Sequence, residues 1–292
     1  MARPSAAGLP GGCGAAERRG RWLGTVPHMR KYFAIARASF EVVFVYRAGF
    51  ALNMFGTVLY VVAMFYLWQT IFLGKAGALG AFSWPQMKAY LLVAFLTNSL
   101  MTWFDEGDMG RDIRMGRIAT DLTRPIDFQA KRFADAIGPL PVELSSALLV
   151  GAVVVFAFGG IAAPPDPVHA ALFVVSTALA TLLKFAIVYC VSMTAFWTTG
   201  MVGIRVGRTA IQNLLSGAMI PLAFFPDWLR SVAAVLPFQG LVSTPALTYL
   251  GQMDGPTTAL MIGVQAVWAV ALLFAGRALW RRAIKAVTIH GG

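Results

Sequence analysis

Stretches free of charge recur along this chain at lengths that suit a bilayer rather than a soluble core. A membrane-crossing helix needs roughly 20 predominantly apolar residues, and each stretch of that kind predicts a span. The first runs from Ala48 to Gly74. The second, Ala89 to Phe104, is short, and Lys88 is expected to snorkel outward and lengthen it. The third covers Ala136 to Pro165, interrupted only by Glu143. The fourth covers Pro167 to Ile204, interrupted by Lys184. A fifth runs from Thr209 to Pro226 and the last from Gly255 to Gly276.

Ser231 to Met253 is also uncharged, yet it contains Pro237, Gly240, Pro245 and Gly251. Proline removes a backbone donor, and an open backbone group is costly in lipid. Charge placement gives a second argument. With six spans and a cytoplasmic N-terminus, 20 Lys and Arg fall inside, while Lys75, Lys88 and Arg230 fall outside. A seventh crossing would carry Arg277, Arg281, Arg282 and Lys285 to the outer face, against the positive-inside tendency. The expectation is therefore an all-α polytopic membrane protein with six transmembrane helices and both termini cytoplasmic. Broken helices from Phe225 to Gly251 would dip in from the outside, as a re-entrant hairpin within an outer region over 225–254.

Ahead of the first span, Arg30 to Arg47 reads as an amphipathic helix. At 100° per residue Arg30, Arg37 and Glu41 share one face, and Tyr32, Ala36, Phe40 and Val43 another. Such a helix can lie in the headgroup plane, its basic side toward anionic lipid. A plain cytoplasmic extension of the first span is the other reading. Residues Met1 to His28 are rich in Gly, Ala, Pro and Arg without an apolar core or cleavage site, which reads as a disordered leader rather than a signal peptide.

Composition agrees with lipid as the solvent. Of 292 residues 58% are hydrophobic and 13% charged, against about 25% charged in soluble domains. The net charge of +11 would fit a nucleic-acid partner, but the basic residues sit in connectors and no basic run interleaves with stacking aromatics. Cys13 and Cys190 give no disulfide framework, and His28, His169 and His290 give no zinc spacing.

The connector Asp105 to Asp135 is unlike the rest: seven acidic and six basic residues, with Met109, Ile113 and Leu122 as apolar contacts. Gly116 and Arg124-Pro125 punctuate it, since the residue before proline disfavours the α region. A solvated connector is the plain reading. Near-balanced charge also suits docking against another protein.

The run Gly116-Arg-Ile-Ala-Thr-Asp-Leu-Thr-Arg-Pro-Ile126 resembles the cytoplasmic loop of ABC-2-type transporter permeases, which follows their second span with a G-x-[IL]-x3-L-x-R-P-[IL] pattern. The segment MRKYFAIARASFEVVFVYR is similar to the start of the branch described as viologen-type exporters. Ser216 to Pro221, Phe225-Pro-Asp-Trp-Leu229 and Leu236-Pro237-Phe238 resemble the family's fifth helix and outer hairpin. The resemblance extends from Met29 onward, and the 28-residue leader departs from it. It implies an export permease of a bacterial plasma (inner) membrane. Two copies, or one copy and a homologous permease, would form the pathway in contact with membrane lipid. Separate ABC ATPase subunits would carry ATP and Mg. On the coupling loop it implies a tight turn at Gly116, contacts from Ile118 and Leu122, polar contacts from Arg124 and Asp127, and a helix stop at Pro125.

The chain contains no G-x4-G-K-[ST] run to cradle phosphate, so any ATP use is expected in trans, with no cofactor held by this chain. Gly-x-Ser-x-Gly and His-Glu-x-x-His are absent too, and no catalytic residues are expected. A charge at the bilayer centre costs about 3 kcal/mol, which singles out Lys184. It either faces the substrate pathway, pairs with a carbonyl or acid, or snorkels. Glu143 is expected nearer the inner end, about ten to fifteen ångströms from Lys184 in depth at 1.5 Å rise per residue. A secondary transporter or channel would need buried acids or an inverted repeat, and neither is evident. A non-transporting membrane scaffold would need no ATPase.

Overall fold

The computed structural model describes residues 28–45, 47–74, 78–79, 82–100, 102, 104–198 and 200–286. The leader up to residue 27, Lys75 and the last six residues lie outside the described ones. The chain opens with α1 (His28–Val45) and α2 (Arg47–Leu73), followed by a two-residue antiparallel ladder of β1 (Ala78–Leu79) with β2 (Phe82–Ser83). Helix α3 (Trp84–Ser99) leads to three helices in the charged connector: α4 (Glu106–Arg114), α5 (Ile118–Leu122) and α6 (Phe128–Ile137). Next come α7 (Leu140–Phe158), α8 (Pro167–Ser192) and α9 (Val202–Leu215). Short helices α10 (Asp227–Val235) and α11 (Ser243–Leu250) precede the long α12 (Gly255–Ala286).

Local chemistry sets several of these starts. Asp105, Asp127 and Asp166 each stand just before a helix and accept a hydrogen bond from a first-turn amide, at Gly107, Ala130 and His169, satisfying donors that have no intrahelical partner. Ahead of α3, Gln86 reaches back to the Ser83 amide at 2.9 Å.

Four stretches are long and apolar enough to cross a membrane: Gly49–Leu73, Phe128–Phe158, Pro167–Phe196 and Gly255–Lys285. The other two expected spans fall on shorter helices, α3 with 16 residues and α9 with 14. Boundaries move as well. The third stretch begins at Phe128 instead of Ala136. The fourth gives way at a 3-10 turn, Met193–Phe196, so α9 starts at Val202, ahead of Thr209.

Helix α3 is the centre of the bundle. Met87, Ala89, Tyr90, Leu91, Val93 and Ala94 are all buried, among Phe65, Trp68 and Phe72 of α2, Val150 and Val154 of α7, and Leu183 and Ile187 of α8. A second cluster gathers at the end of the bundle that carries the charged connector, here the loop end. There Met109, Ile118 and Phe128 pack on Phe185, Tyr189 and Met193 of α8. Phe128 stacks on Trp280 with ring centroids 3.9 Å apart, fixing α6 to α12.

The stretch after α9 is broken, as its prolines and glycines require. It runs through Gly217 at φ +82°, the 3-10 turn Leu222–Phe224, α10, the 3-10 turn Pro237–Leu241 and α11, which closes at Gly251 with φ +61°. Irregular backbone is tolerated at membrane depth only when buried in protein and satisfied there. Tyr90 donates to the Gly217 carbonyl at 2.9 Å, and the Ser243 amide donates to the Ser216 carbonyl at 3.0 Å. Gln265 of α12 donates to the carbonyls of Gly240 and Ser176, at 2.8 and 2.7 Å. A Cβ at Gly217 would overlap Ser243 Oγ and stand 2.6 Å from Tyr90 Oη. Gly217→Ala is expected to lower the unfolding midpoint in detergent. The left-handed backbone alone costs about 1–3 kcal/mol for a residue with a side chain. An unchanged midpoint would show that this knot is looser than drawn.

Candidate functional site

The charged connector folds largely onto itself. Asp112 of α4 binds Arg117 at 2.6 Å and Arg132 of α6 at 2.9 Å. Asp121 of α5 binds Lys131 at 2.5 Å and stands 3.8 Å from Arg132. Asp121, Lys131 and Arg132 are 11%, 18% and 12% exposed, so these pairs are screened far less than surface pairs. Much of the balanced charge seen in the sequence is therefore internal mortar between α4, α5 and α6. It also explains why the third apolar stretch continues through Lys131 and Arg132.

Much of the run from Asp108 to Asp127 still faces outward. Gly116, at φ +69°, makes the turn between α4 and α5, a conformation that disfavours side chains. Beyond it Met115 and Leu122 are 63% and 42% exposed, and Arg124 and Pro125 are exposed. Among the described residues Arg124 makes no ion pair. Ile118 points the other way, 4% exposed in the loop-end core. Asp127 is exposed, but its Oδ1 caps α6 through the Ala130 amide at 2.7 Å. Helix α5 stops at Leu122, and Pro125 lies in the bend that follows.

Helix α1 braces this surface. Lys31 donates to the Pro125 carbonyl at 3.0 Å, the Asp127 amide donates to Tyr32 Oη at 3.3 Å, and Ser39 donates to Asp135 at 3.2 Å. At Gly138 a Cβ would overlap the Ala36 carbonyl and stand 2.7 Å from Ser39 Cβ, so the backbones meet in near contact. Tyr32, Ala36 and Phe40 thus lie against α6 and Gly138, and Val43 is buried, while Phe33, Phe44 and Val45 stay 73%, 58% and 74% exposed.

Two ion pairs tie the start of α4 to α9. Arg205 binds Asp105 at 2.8 Å, and Arg208 binds Glu106, whose side chain is fully buried. Burial pushes the Glu106 carboxyl above its usual pKa, and the Arg208 guanidinium works against that rise. The Arg208 side chain, 14% exposed, also donates to Gln212 at 2.5 Å.

Lys184 and Lys88 both cap helix ends. Lys184 donates to the carbonyls of Asn98 and Leu100 at 2.8 and 2.5 Å, closing the end of α3. Lys88 does not snorkel outward. It is 8% exposed and donates to the carbonyls of Phe158, Gly159 and Gly160 at the end of α7. Final carbonyls of a helix lack partners and carry the negative end of its dipole, so an ammonium satisfies both needs. Glu143 of α7, 4% exposed, accepts from the Thr102 amide at 2.6 Å. Lys184 and Glu143 therefore clasp the same turn from opposite helices.

Three adjoining cavities run along α2 and α9. At the loop end, about 610 Å³ is bordered by Lys184, Glu106, Arg205 and Arg208. It meets, at Asn98 and Thr102, a chamber of about 620 Å³ walled by Tyr60, Met64, Leu91 and Phe95. Met64 also borders an apolar hollow of about 280 Å³ reaching Ile71 and Ile220. The sequence singled out Lys184 at this track but not its acid–base neighbours, which come from segments about a hundred residues apart. Among the described residues no cluster of three or more His, Cys, Asp or Glu is arranged to hold a metal. A family model described as ABC-2 family transporter protein matches residues 58–291, which is most of the chain. No curated protein matches it.

Proposed function

Because the chain belongs to the ABC-2 family of transporter proteins, we propose that it is the permease subunit of an ATP-driven exporter, without catalysis of its own and driven by separate ATPase subunits. One observation carries this reading. Within the Asp105–Asp135 connector, Leu122 and Arg124 face outward, and among the described residues Arg124 makes no ion pair; both sit on a braced element tied by two ion pairs to a wall of the cavity track. An ATPase that docks on Leu122 and Arg124 pushes α5, the Asp121 and Asp112 pairs carry the push to α6 and α4, and Arg205 and Arg208 pass it to α9.

Six crossings are the arrangement we favour, with α3 and α9 completing the four long stretches. At 1.5 Å per residue α3 spans about 24 Å and α9 about 21 Å, short of a hydrocarbon core of about 30 Å. The turns capped by Lys184 and Tyr90 supply the rest, since satisfied irregular backbone is compatible with that depth. In that topology the loop end, Arg277, Arg281, Arg282 and Lys285 face the cytoplasm of a bacterial inner membrane. The broken stretch 217–251 then forms the outer re-entrant region. The cavity track is walled on one side by α2 and α9, whose Leu67, Ile71, Val206 and Leu214 are exposed, and a second permease copy or a homologous partner closes it. Lys184 keeps one ammonium hydrogen beyond its two carbonyls, facing the track as a donor for cargo.

Co-expression with candidate ATPases followed by purification tests the proposal. An ATPase is expected to co-purify, with ATP hydrolysis present in the complex and missing from the isolated chain. Hydrolysis by the isolated chain would overturn it.

A further inference from the structure

We infer that the groove between α6, α8 and α12 is a binding site for an anionic phospholipid. The inference uses the membrane-spanning reading of α12 but not the coupling to an ATPase. The groove encloses about 490 Å³ and is walled by Phe133, Leu182, Phe185 and Phe274. Its polar contribution is confined to Gln129 and Arg277. Gln129 lies at the start of α6 and Arg277 follows Phe274 by about one turn of α12, so the apolar wall and the guanidinium are stacked along the membrane normal. That is the layout of a phospholipid: acyl chain beside the aromatic wall, phosphate at the arginine.

The charge distribution favours an anionic headgroup. Arg277 Nε donates to Gln129 Oε1 at 2.9 Å, and Gln129 Nε2 donates to the Leu273 carbonyl at 3.1 Å. The guanidinium is thereby aimed, yet among the described residues it forms no ion pair. Its terminal nitrogens remain available for the bidentate geometry in which arginine takes phosphate. Arg281 stands one turn beyond on the same face of α12, and Arg282 and Lys285 complete a basic cluster, all exposed. Four basic residues at the end of a span, beside a pocket between helices, are the pattern by which membrane proteins hold anionic headgroups.

Native mass spectrometry of the detergent-purified chain with added phosphatidylglycerol or phosphatidylcholine tests the site. The wild type is expected to retain phosphatidylglycerol in preference to phosphatidylcholine. Arg277→Gln and Arg281→Gln are each expected to weaken phosphatidylglycerol retention about fivefold, from the worth of one basic side chain at an anionic surface. Arg277→Lys should recover part of it. Ala130→Trp, which fills the groove without touching a charge, separates a seated lipid from diffuse attraction and is expected to abolish the preference. Because Arg277 also holds Gln129, Arg281→Gln serves as the charge variant that breaks no hydrogen bond or ion pair among the described residues. Equal retention of both lipids by the wild type would overturn the site. So would unchanged phosphatidylglycerol retention in Arg281→Gln and Ala130→Trp together. ATPase co-purification is expected to persist in every variant, so failure here leaves the transporter reading standing.

Discussion

Arg208→Leu is expected to lower the unfolding midpoint of the detergent-purified protein by more than any other single change at its charged residues. Glu106 is fully buried, and its carboxylate faces Arg208. Removing one partner of a buried pair leaves the other charge without compensation, at a cost of about 3–5 kcal/mol. The sign with pH follows from burial. Without Arg208 nothing of that size opposes the upward push on Glu106, so the folded protein holds a proton that the unfolded chain releases. Stability of the variant then falls as pH rises through the raised carboxyl range, so its deficit is smaller on the acid side of that range than on the alkaline side. Adding Glu106→Gln to Arg208→Leu should recover a large part of the loss, because the orphaned charge is then gone. A midpoint deficit that ignores pH and is not relieved by Glu106→Gln would show that the pair is not the source. Unfolding is read by heating at fixed detergent.

The second large effect is functional. Leu122→Asp combined with Arg124→Glu should weaken ATPase capture at least about tenfold, the size expected when contacts at the centre of an interface are replaced by unfavourable ones. Both side chains are exposed, so membrane insertion and thermal midpoint should stay near the wild-type values. Ile118→Asp offers a contrast. Ile118 is buried among Met109, Phe128 and Tyr189, and its substitution should unfold the loop end first and lose the ATPase only as a consequence. Pull-down with a tagged ATPase, alongside unfolding curves, distinguishes the two outcomes.

The difference between these residues was only partly legible in the sequence. The long apolar spans were legible, because length and absence of charge are local properties. So were the turn at Gly116, the break at Pro125 and the broken stretch after Gly217, where glycine and proline act on their own backbone. The apolar face of α1 was readable too, but not that it covers α6. Gly138 was the sole hint, a small residue beside a proline. The helix starts departed from the charge-free stretches where a charge is satisfied across the fold, as at Phe128. Lys131 and Arg132 sit inside a helix that continues into the third span, because Asp121 and Asp112 neutralise them. Lys88 stays inward because the frayed end of α7 presents three carbonyls to it. A partner 70 residues away leaves no trace in local periodicity. For the same reason the sequence did not show that Asp112, Arg117, Asp121, Lys131 and Arg132 of the connector pair with one another.

Photo-crosslinking from position 122 in the assembled complex is the most direct test of the docking surface. With a photoreactive residue in place of Leu122, the ATPase is expected to be captured on illumination, while the same residue in place of exposed Val168, at the far end of α8, captures none. An ATPase that co-purifies with the chain yet crosslinks from position 168 and not from 122 would contradict the account.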